Sequence, residues 1–376
     1  MLDLAVPCAR GLEPLVVAEL EALGAERVEI EAGSVRAAGT WETVWRANLG
    51  LRVGRRVLVS LLDWAAPTAG TLEDGLIEGV SRDPGLRELL SPDRTLAVHG
   101  ASSRSRLNDA RAVGGMTREA LRRAQREWSG RSSPVAPRGP DLPLRVRVFK
   151  DVATLSLDTS GAALDGRGGM EERRGAPRAT VCAALVAAAE WDGVGPLCDP
   201  FAGDGRVLEE AVAACEGWSP GRRRARWPFE ALHSFDRARF GEVRDEAAAG
   251  LAPGCMVYAG DPNQRHVRDL RGWARGLGID GRMRARHTEP GQLAAPEERG
   301  LLVTAPPPGA SPAQWGALGE ALKHRFVGWT AALLCRDGGE RHLGLRPRRK
   351  LVVRDGDLRG VIVVLDLWVG RRRDRE

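Results

Sequence analysis

The chain has 376 residues, 43% hydrophobic and 28% charged, enough apolar content for two or three packed units and too much for wholesale disorder. No apolar run reaches the roughly 20 residues that cross a bilayer, and the N-terminal MLDLAVPCARGLEPL has no basic stretch followed by an apolar core; a cytoplasmic protein without a secretory leader is expected. The formal net charge of +6 permits an anionic partner without naming one, because Lys150, Lys323 and Lys350 are the only lysines and so strong an arginine bias also follows from a GC-rich genome.

Residues 11–23, GLEPLVVAELEAL, place Leu12, Leu15, Val16, Leu20 and Leu23 near helical spacing and predict an amphipathic helix. The flanking LDLAVPC and VEIEAGSVRAAG alternate like short strands. The order continues through RVLVSLLDW, the helical TLEDGLIEGV and RTLAVHG, so the first part of the chain reads as an α+β unit. Residues 102–128 then carry Arg104, Arg106, Arg111, Arg118, Arg122, Arg123 and Arg126 against Asp109, Glu119 and Glu127. From Thr117 onward Ala120, Leu121 and Ala124 face a core, while Arg118, Arg122 and Arg126 recur every fourth residue as a solvent stripe. Such a stripe is either a solvated helix face or a phosphate-binding surface, and the density of arginine favours the second.

Residues 129–143, SGRSSPVAPRGPDLP, read as a mobile loop. LRVRVFKDVATLSLDTSG follows as two strands joined by a tight turn at Lys150 and Asp151, so the loop interrupts the first part and does not end it; the junction is expected at residues 161–177.

The second half is punctuated like a Rossmann-like α/β domain. After the alanine-rich helix ATVCAALVAAAEW, a short apolar strand ends at Asp199, Pro200 and a Gly-x-Gly loop (Gly203, Gly205) follow, and an amphipathic helix begins near Val207. Glycine lets backbone approach a ligand closely, and doubly wound sheets bind ligands where strands end. The next strand, CMVYAGD, ends in Asp261, an acid suited to ribose hydroxyls. GRMRARHTEPGQL places Glu289 at a corresponding strand end, and LLVTAPPPG closes a fourth strand near Ala305 with Pro306, Pro307 and Pro308, since proline has neither a free φ nor an N–H. The longer Gly-x-Gly-x-x-Gly of NAD sites is absent, because position 208 is Leu. The six cysteines form no Cys-x-x-Cys and the six histidines no paired spacing, so neither a disulfide framework nor a metal site is expected.

These four strand ends resemble those of class I S-adenosylmethionine-dependent methyltransferases. From ARGLEPLVVAELEALGA through LDTSGAALDGRG, GAPRATVCAALV, DPFAGDGRVLEEA, RRRARWPFEAL and YAGDPNQRHVRDLRGWA to LGLRPRRKLVVRDGDLRG, the chain is similar to bacterial large-subunit ribosomal RNA guanine-N2 methyltransferases. The resemblance implies a ferredoxin-like segment over 1–55, a THUMP-type RNA-binding domain over 56–160, a linker over 161–177 and a Rossmann-like methyltransferase domain over 178–376. It implies S-adenosylmethionine as cofactor, with Asp199, Pro200, Gly203 and Gly205 around its methionine portion, Asp261 at its ribose and Glu289 at its adenine amine. It also implies ribosomal RNA as partner, touched by Arg104, Arg106, Arg111, Arg118 and Arg122.

The catalytic motif departs from that family. Asn-Pro-Pro followed by Tyr or Phe is replaced by Ala305, Pro306, Pro307 and Pro308, so neither the side-chain acceptor for the base amine nor the ring that stacks on an extruded base is present. The aromatic expected after Arg167 and Gly168 is Gly169, the helix after it starts Ala179, Thr180, Val181, and Arg206 replaces a small hydroxyl residue, putting a cation near the cofactor's sulfonium. Two readings stay open here: an enzyme that methylates an RNA base amine, or a noncatalytic homologue that binds RNA as an assembly factor. DNA amine methylation shares the proline motif but leaves the first half of the chain unexplained.

Overall fold

The computed structural model describes residues 1–167, 176–249 and 254–368. The first half runs β1 (Leu2–Pro7), α1 (Glu13–Ala22), β2 (Glu26–Glu31), β3 (Ser34–Gly39), α2 (Trp41–Gly50), β4 (Leu58–Ala65), α3 (Ala69–Arg82), α4 (Pro84–Leu89), β5 (Leu96–Ser103), α5 (Ala110–Ser129), β6 (Leu142–Phe149) and β7 (Val152–Asp158). Its seven strands form one sheet in the order β2-β3-β1-β4-β7-β6-β5. The β1–β4 pairing, Leu4 opposite Val59 and Ala5 opposite Leu58, carries the sheet from the first three strands into those that follow. β6 and β7 meet at Lys150 and Asp151, both with positive φ (52° and 62°), the turn conformation whose twist suits a two-residue hairpin.

In α5 the side chains of Val113, Ala120, Leu121 and Ala124 are buried; Asp109 caps the start and Gly130, with φ 71°, ends it. The stretch 129–143 is tied down where a mobile loop was expected. Leu96 donates its backbone N–H to Pro134 O, Ala136 donates to Leu96 O, both at 2.9 Å, and the buried Gln125 amide donates to Ser133 Oγ at 2.8 Å. Proline costs the segment N–H donors but not carbonyl acceptors, so it still lies along the start of β5.

The second half comprises α6 (Ala179–Ala189), β8 (Leu197–Asp199), α7 (Arg206–Cys215), α8 (Arg237–Ala248), β9 (Val257–Asp261), α9 (Gln264–Leu277), β10 (Met283–His287), β11 (Leu301–Thr304), α10 (Pro312–Arg325), β12 (Thr330–Cys335), β13 (Arg349–Asp355) and β14 (Leu358–Asp366). The strand order is β10-β9-β8-β11-β12-β14-β13, with β14 antiparallel to both neighbours and β10, β9, β8, β11 and β12 parallel. β8 and β11 are neighbours although the chain visits β9 and β10 between them, which makes their carboxyl ends the topological switch point of the sheet. β10 is an edge strand, which explains why MRARH has so little apolar pattern.

The halves are packed together. Trp45 of α2 lies 5.7 Å from Phe240, 5.8 Å from Phe235 and 6.3 Å from Phe229 between ring centroids. Beside this cluster, Arg52 Nη2 donates to Ala213 O at 3.0 Å and Trp218 O at 2.5 Å. The buried Glu210 carboxylate of α7 lies 2.8 Å from Arg167 and 3.8 Å from Arg52. The helix that opens at the glycine loop is thereby fixed to the first half.

Candidate functional site

At the switch point, the strand end of β8 and the strand end of β11 are joined side chain to side chain. Thr304, the last residue of β11, donates its hydroxyl to Asp199 Oδ1 at 2.6 Å, and Phe201 donates its backbone N–H to the same oxygen at 3.0 Å. Asp199 and Thr304 are both 0% exposed. The second carboxylate oxygen, Asp199 Oδ2, is buried without a hydrogen-bond partner among the described residues. Burial pushes the Asp199 carboxyl up to about 7, against the hydrogen bonds from Thr304 and Phe201 that pull it down. A buried acid with an unsatisfied oxygen is poised to accept from a positively charged donor.

The loop after Pro200 turns through Gly203 (φ 53°) and Gly205 (φ 80°), backbone positions where a Cβ is strained. Gly203 donates its N–H to Asp261 Oδ2 at 2.8 Å, tying the loop to the end of β9. Asp261 Oδ1 accepts from Asn263 N at 2.8 Å and faces His266 Nδ1 at 3.1 Å. A carboxylate offers about four lone-pair sites, so Oδ2 retains one for a hydroxyl. Asn263 also caps α9, its side chain accepting from Arg265 N.

Arg206 opens α7 with its side chain 7% exposed and Nη2 3.7 Å from Asp204 Oδ2, so the cation that the sequence sets beside the cofactor has a counter-charge in the loop itself. Glu289 is exposed and borders an open groove of about 640 Å³ between the turn after β10 and α10; the residue before it, Thr288, donates its backbone N–H to Asp261 O at 3.2 Å. Gly168 and Gly169 lie outside the described residues, while Ala179, Thr180 and Val181 form the buried first turn of α6.

Beyond Thr304 the chain turns sharply. Ala310 donates its N–H to Pro307 O at 3.2 Å and Gly309 takes φ 80°, so Pro308 and Gly309 are the two corners of a type II turn, the positions that favour proline and glycine. Pro306 is buried, Ala305 is half-buried, and Pro307 and Pro308 are exposed. Among the described residues the Ala305 and Pro306 carbonyls accept no backbone hydrogen bond.

Of the arginines picked from sequence, Arg104 and Arg111 are exposed, but Arg106 faces Asp151 at 3.6 Å and Arg118 and Arg122 share Glu119 at 3.0 and 3.2 Å. Sequence reasoning missed Thr304, which lies one residue before the proline motif, and His266, which falls on the acid at the end of β9 only once α9 has folded.

Two family models match the chain: one described as the RlmL ferredoxin-like domain, over residues 3–58, and one as the RMKL-like methyltransferase domain, over residues 170–349. The chain carries an RMKL-like methyltransferase domain. Among its relatives, the ribosomal RNA large subunit methyltransferase K/L of Syntrophotalea carbinolica is 30% identical over 380 residues, 95% of this chain and 52% of the relative. A putative RNA methyltransferase of Synechocystis sp. is 28% identical over 96% of this chain and 95% of its own length. The chain spans about half the length of the K/L relatives it matches. Among solved structures, a putative methyltransferase complexed with SAH superposes with TM-score 0.86 at 23% identity over 98% of this chain and 99% of that one. TrmN from Thermus thermophilus superposes with TM-score 0.71 at 21% identity over 98% and 100%. These likenesses show that the fold is shared across both halves.

Proposed function

We propose that the chain methylates an exocyclic base amine of large-subunit ribosomal RNA in the cytoplasm, guanine N2, using S-adenosylmethionine. The observation that carries the proposal is the clamp at the switch point: Thr304 fixes the proline loop to Asp199 of the glycine-loop strand at 2.6 Å, beside a carboxylate oxygen with no partner among the described residues. In this reading the methionine ammonium group is held by Asp199 with Pro200, Gly203 and Gly205 around it. The ribose takes the spare lone pair of Asp261, and Glu289 reaches the adenine amine. Residues 1–55 serve as the ferredoxin-like segment, 56–160 as a THUMP-type RNA-binding domain and 178–376 as the catalytic domain, joined through 161–177.

When bound, the cofactor would supply an electrophilic methyl carbon to the amine, with the C–S electron pair left on sulfur and one amine proton released to solvent. The chain's part is to aim the amine. A base amine is a poor nucleophile because its lone pair is delocalised into the ring, so its N–H groups must be held to direct that pair at the methyl. The unengaged carbonyls of Ala305 and Pro306 are the acceptors left for those protons, and the buried Pro306 holds them rigid. Ala305 supplies no side-chain acceptor and Pro308 no ring, so the site works with fewer preorganised contacts than Asn-Pro-Pro-aromatic, at a rate about a hundredfold lower.

Calorimetric titration with S-adenosylmethionine tests the cofactor half of this reading. Saturable binding that Asp261→Ala weakens tenfold or more is expected, and wild-type protein that gives no saturable heat would refute it.

A further inference from the structure

A further cavity lies away from the switch point. It is a cleft of about 780 Å³ between the two halves. One wall comes from the first sheet, with Arg56 and Arg145, and the facing wall from residues 220–228 of the second half, with Arg223, Arg224 and Arg226. Arg138 stands at the rim on the tied-down stretch after α5, and Arg167 closes the floor. Among the described residues the only carboxylate lining the cleft is Asp158, shared by Arg56 Nη1 at 2.5 Å and Arg145 Nε at 2.7 Å.

Three more acids touch these arginines from outside. Asp141 accepts from Arg226 at 2.9 Å, Glu209 lies 3.9 Å from Arg223, and Glu210 pairs with Arg167. Among the described residues, seven arginines against these four carboxylates leave the cleft about three positive charges in excess. The walls are preorganised. Arg224 donates to Ser160 O at 2.5 Å, Ala162 O at 2.7 Å and Ala163 O at 2.9 Å, and its guanidinium lies 4.7 Å above the buried Trp227 ring. Facing guanidinium groups held in a cleft several ångströms wide suit a chain of phosphodiesters better than a single small anion, because each fork binds phosphate oxygens in pairs.

The geometry points to this cleft as the seat of the RNA backbone that leads the target base to the switch point, an assignment that rests on the methylation reading above. Its floor residue Arg167 contacts Glu210, four residues along α7 from Arg206, which is about 6 Å at 1.5 Å rise per residue. The floor of the cleft is thereby tied to the helix that opens at the glycine loop. The arginines of α5 do not line the cleft.

The test uses the full chain, a labelled fragment of unmodified large-subunit rRNA, and binding measured by fluorescence anisotropy over a range of salt. The variant is Arg138→Gln/Arg223→Gln/Arg226→Gln, because these three side chains reach solvent and make none of the carbonyl contacts of Arg224. With a loss of about 0.7 in salt slope per phosphate contact, the slope should fall by about 2 and affinity at 0.15 M salt by roughly fiftyfold, while cofactor heat stays unchanged and reports an intact fold. Arg268→Gln/Arg275→Gln on α9, exposed and outside the cleft, should change affinity no more than threefold. If the wild type binds this RNA and the cleft variant keeps its slope, the cleft assignment is overturned and the methylation reading survives. If the wild type binds no RNA, both fall. If millimolar inorganic phosphate displaces the RNA beyond its effect on ionic strength, the cleft is a small-anion pocket and the assignment is overturned.

Discussion

Replacing Asp199 with asparagine should change how stability depends on pH, and the sign follows from burial. In the folded chain the Asp199 carboxyl is pushed up to about 7, whereas its ordinary value is 3.8. Between these values the folded state keeps a proton that the unfolded state has released, so this residue's contribution to stability falls as pH rises through the window and is constant above it. At 1.36 kcal/mol per unit, the two units from about pH 5 to the folded value amount to roughly 3 kcal/mol. Asparagine keeps an oxygen to accept from Thr304 and Phe201 but has no proton to lose. Glu19, also pushed up to about 7 by burial, titrates alike in both proteins and cancels. Urea unfolding of the two proteins without cofactor, in steps from about pH 5 to pH 8, should show wild type losing roughly 3 kcal/mol relative to Asp199→Asn. A difference that stays flat across the range would mean that the carboxylate is not desolvated in the way its lack of exposure implies.

Three further outcomes follow from the same structure. Ala305→Asn with Pro308→Tyr should raise the methyl-transfer rate on unmodified rRNA by about a hundredfold, read as kcat in a single-substrate assay; an unchanged or lower rate means that the proline turn cannot present those side chains. Glu210→Ala should lower stability by about 3 kcal/mol, because Arg167 and Arg52 lose the buried carboxylate they share, and thermal unfolding reads it. Cys215 should be the fastest thiol to react with iodoacetamide, half-maximally near pH 7, because its hydrogen bond with Cys255 brings the thiol down to about 7 while burial holds Cys182, Cys198 and Cys335 up; peptide mapping after brief alkylation decides it.

The parts of the site that were legible in the sequence are those with local punctuation. Asp199, Gly205, Asp261 and the prolines each sit where an apolar strand meets a loop, and the strand order makes those ends neighbours. Thr304 was not legible, because its role is a bond across 105 residues and threonine before proline carries no signal of its own. Glu289 was read as a strand-end acid; it follows the end of the edge strand β10 by two residues and is exposed. Helix α2 was missed although Thr40 and Thr43 cap it reciprocally, because its ten residues mix apolar and polar positions too closely for a periodic pattern.

Long-range approach also hid the meaning of ARGLEPL. A Cβ on Gly11, at φ 92°, would meet Val352 O at 1.7 Å, and Arg10 exchanges both backbone hydrogen bonds with Arg354 at 3.0 Å, so this segment stitches the start of the chain to β13. The arginines of RRRARWP resembled compositional bias until the fold set them across a cleft from Arg56 and Arg145. Charge density along a sequence is a poor guide to where charge accumulates when the facing walls are about 80 to 170 residues apart.

The central claim is methyl transfer to a base amine at the switch point, and the direct measurement is incubation of the full chain with methyl-labelled S-adenosylmethionine and unmodified large-subunit rRNA, followed by digestion to nucleosides and mass spectrometry. Label in N2-methylguanosine, lost with Asp199→Ala, is the predicted result. Saturable cofactor and RNA binding with no label in any nucleoside, or label on a ring carbon or a ribose oxygen, would contradict it.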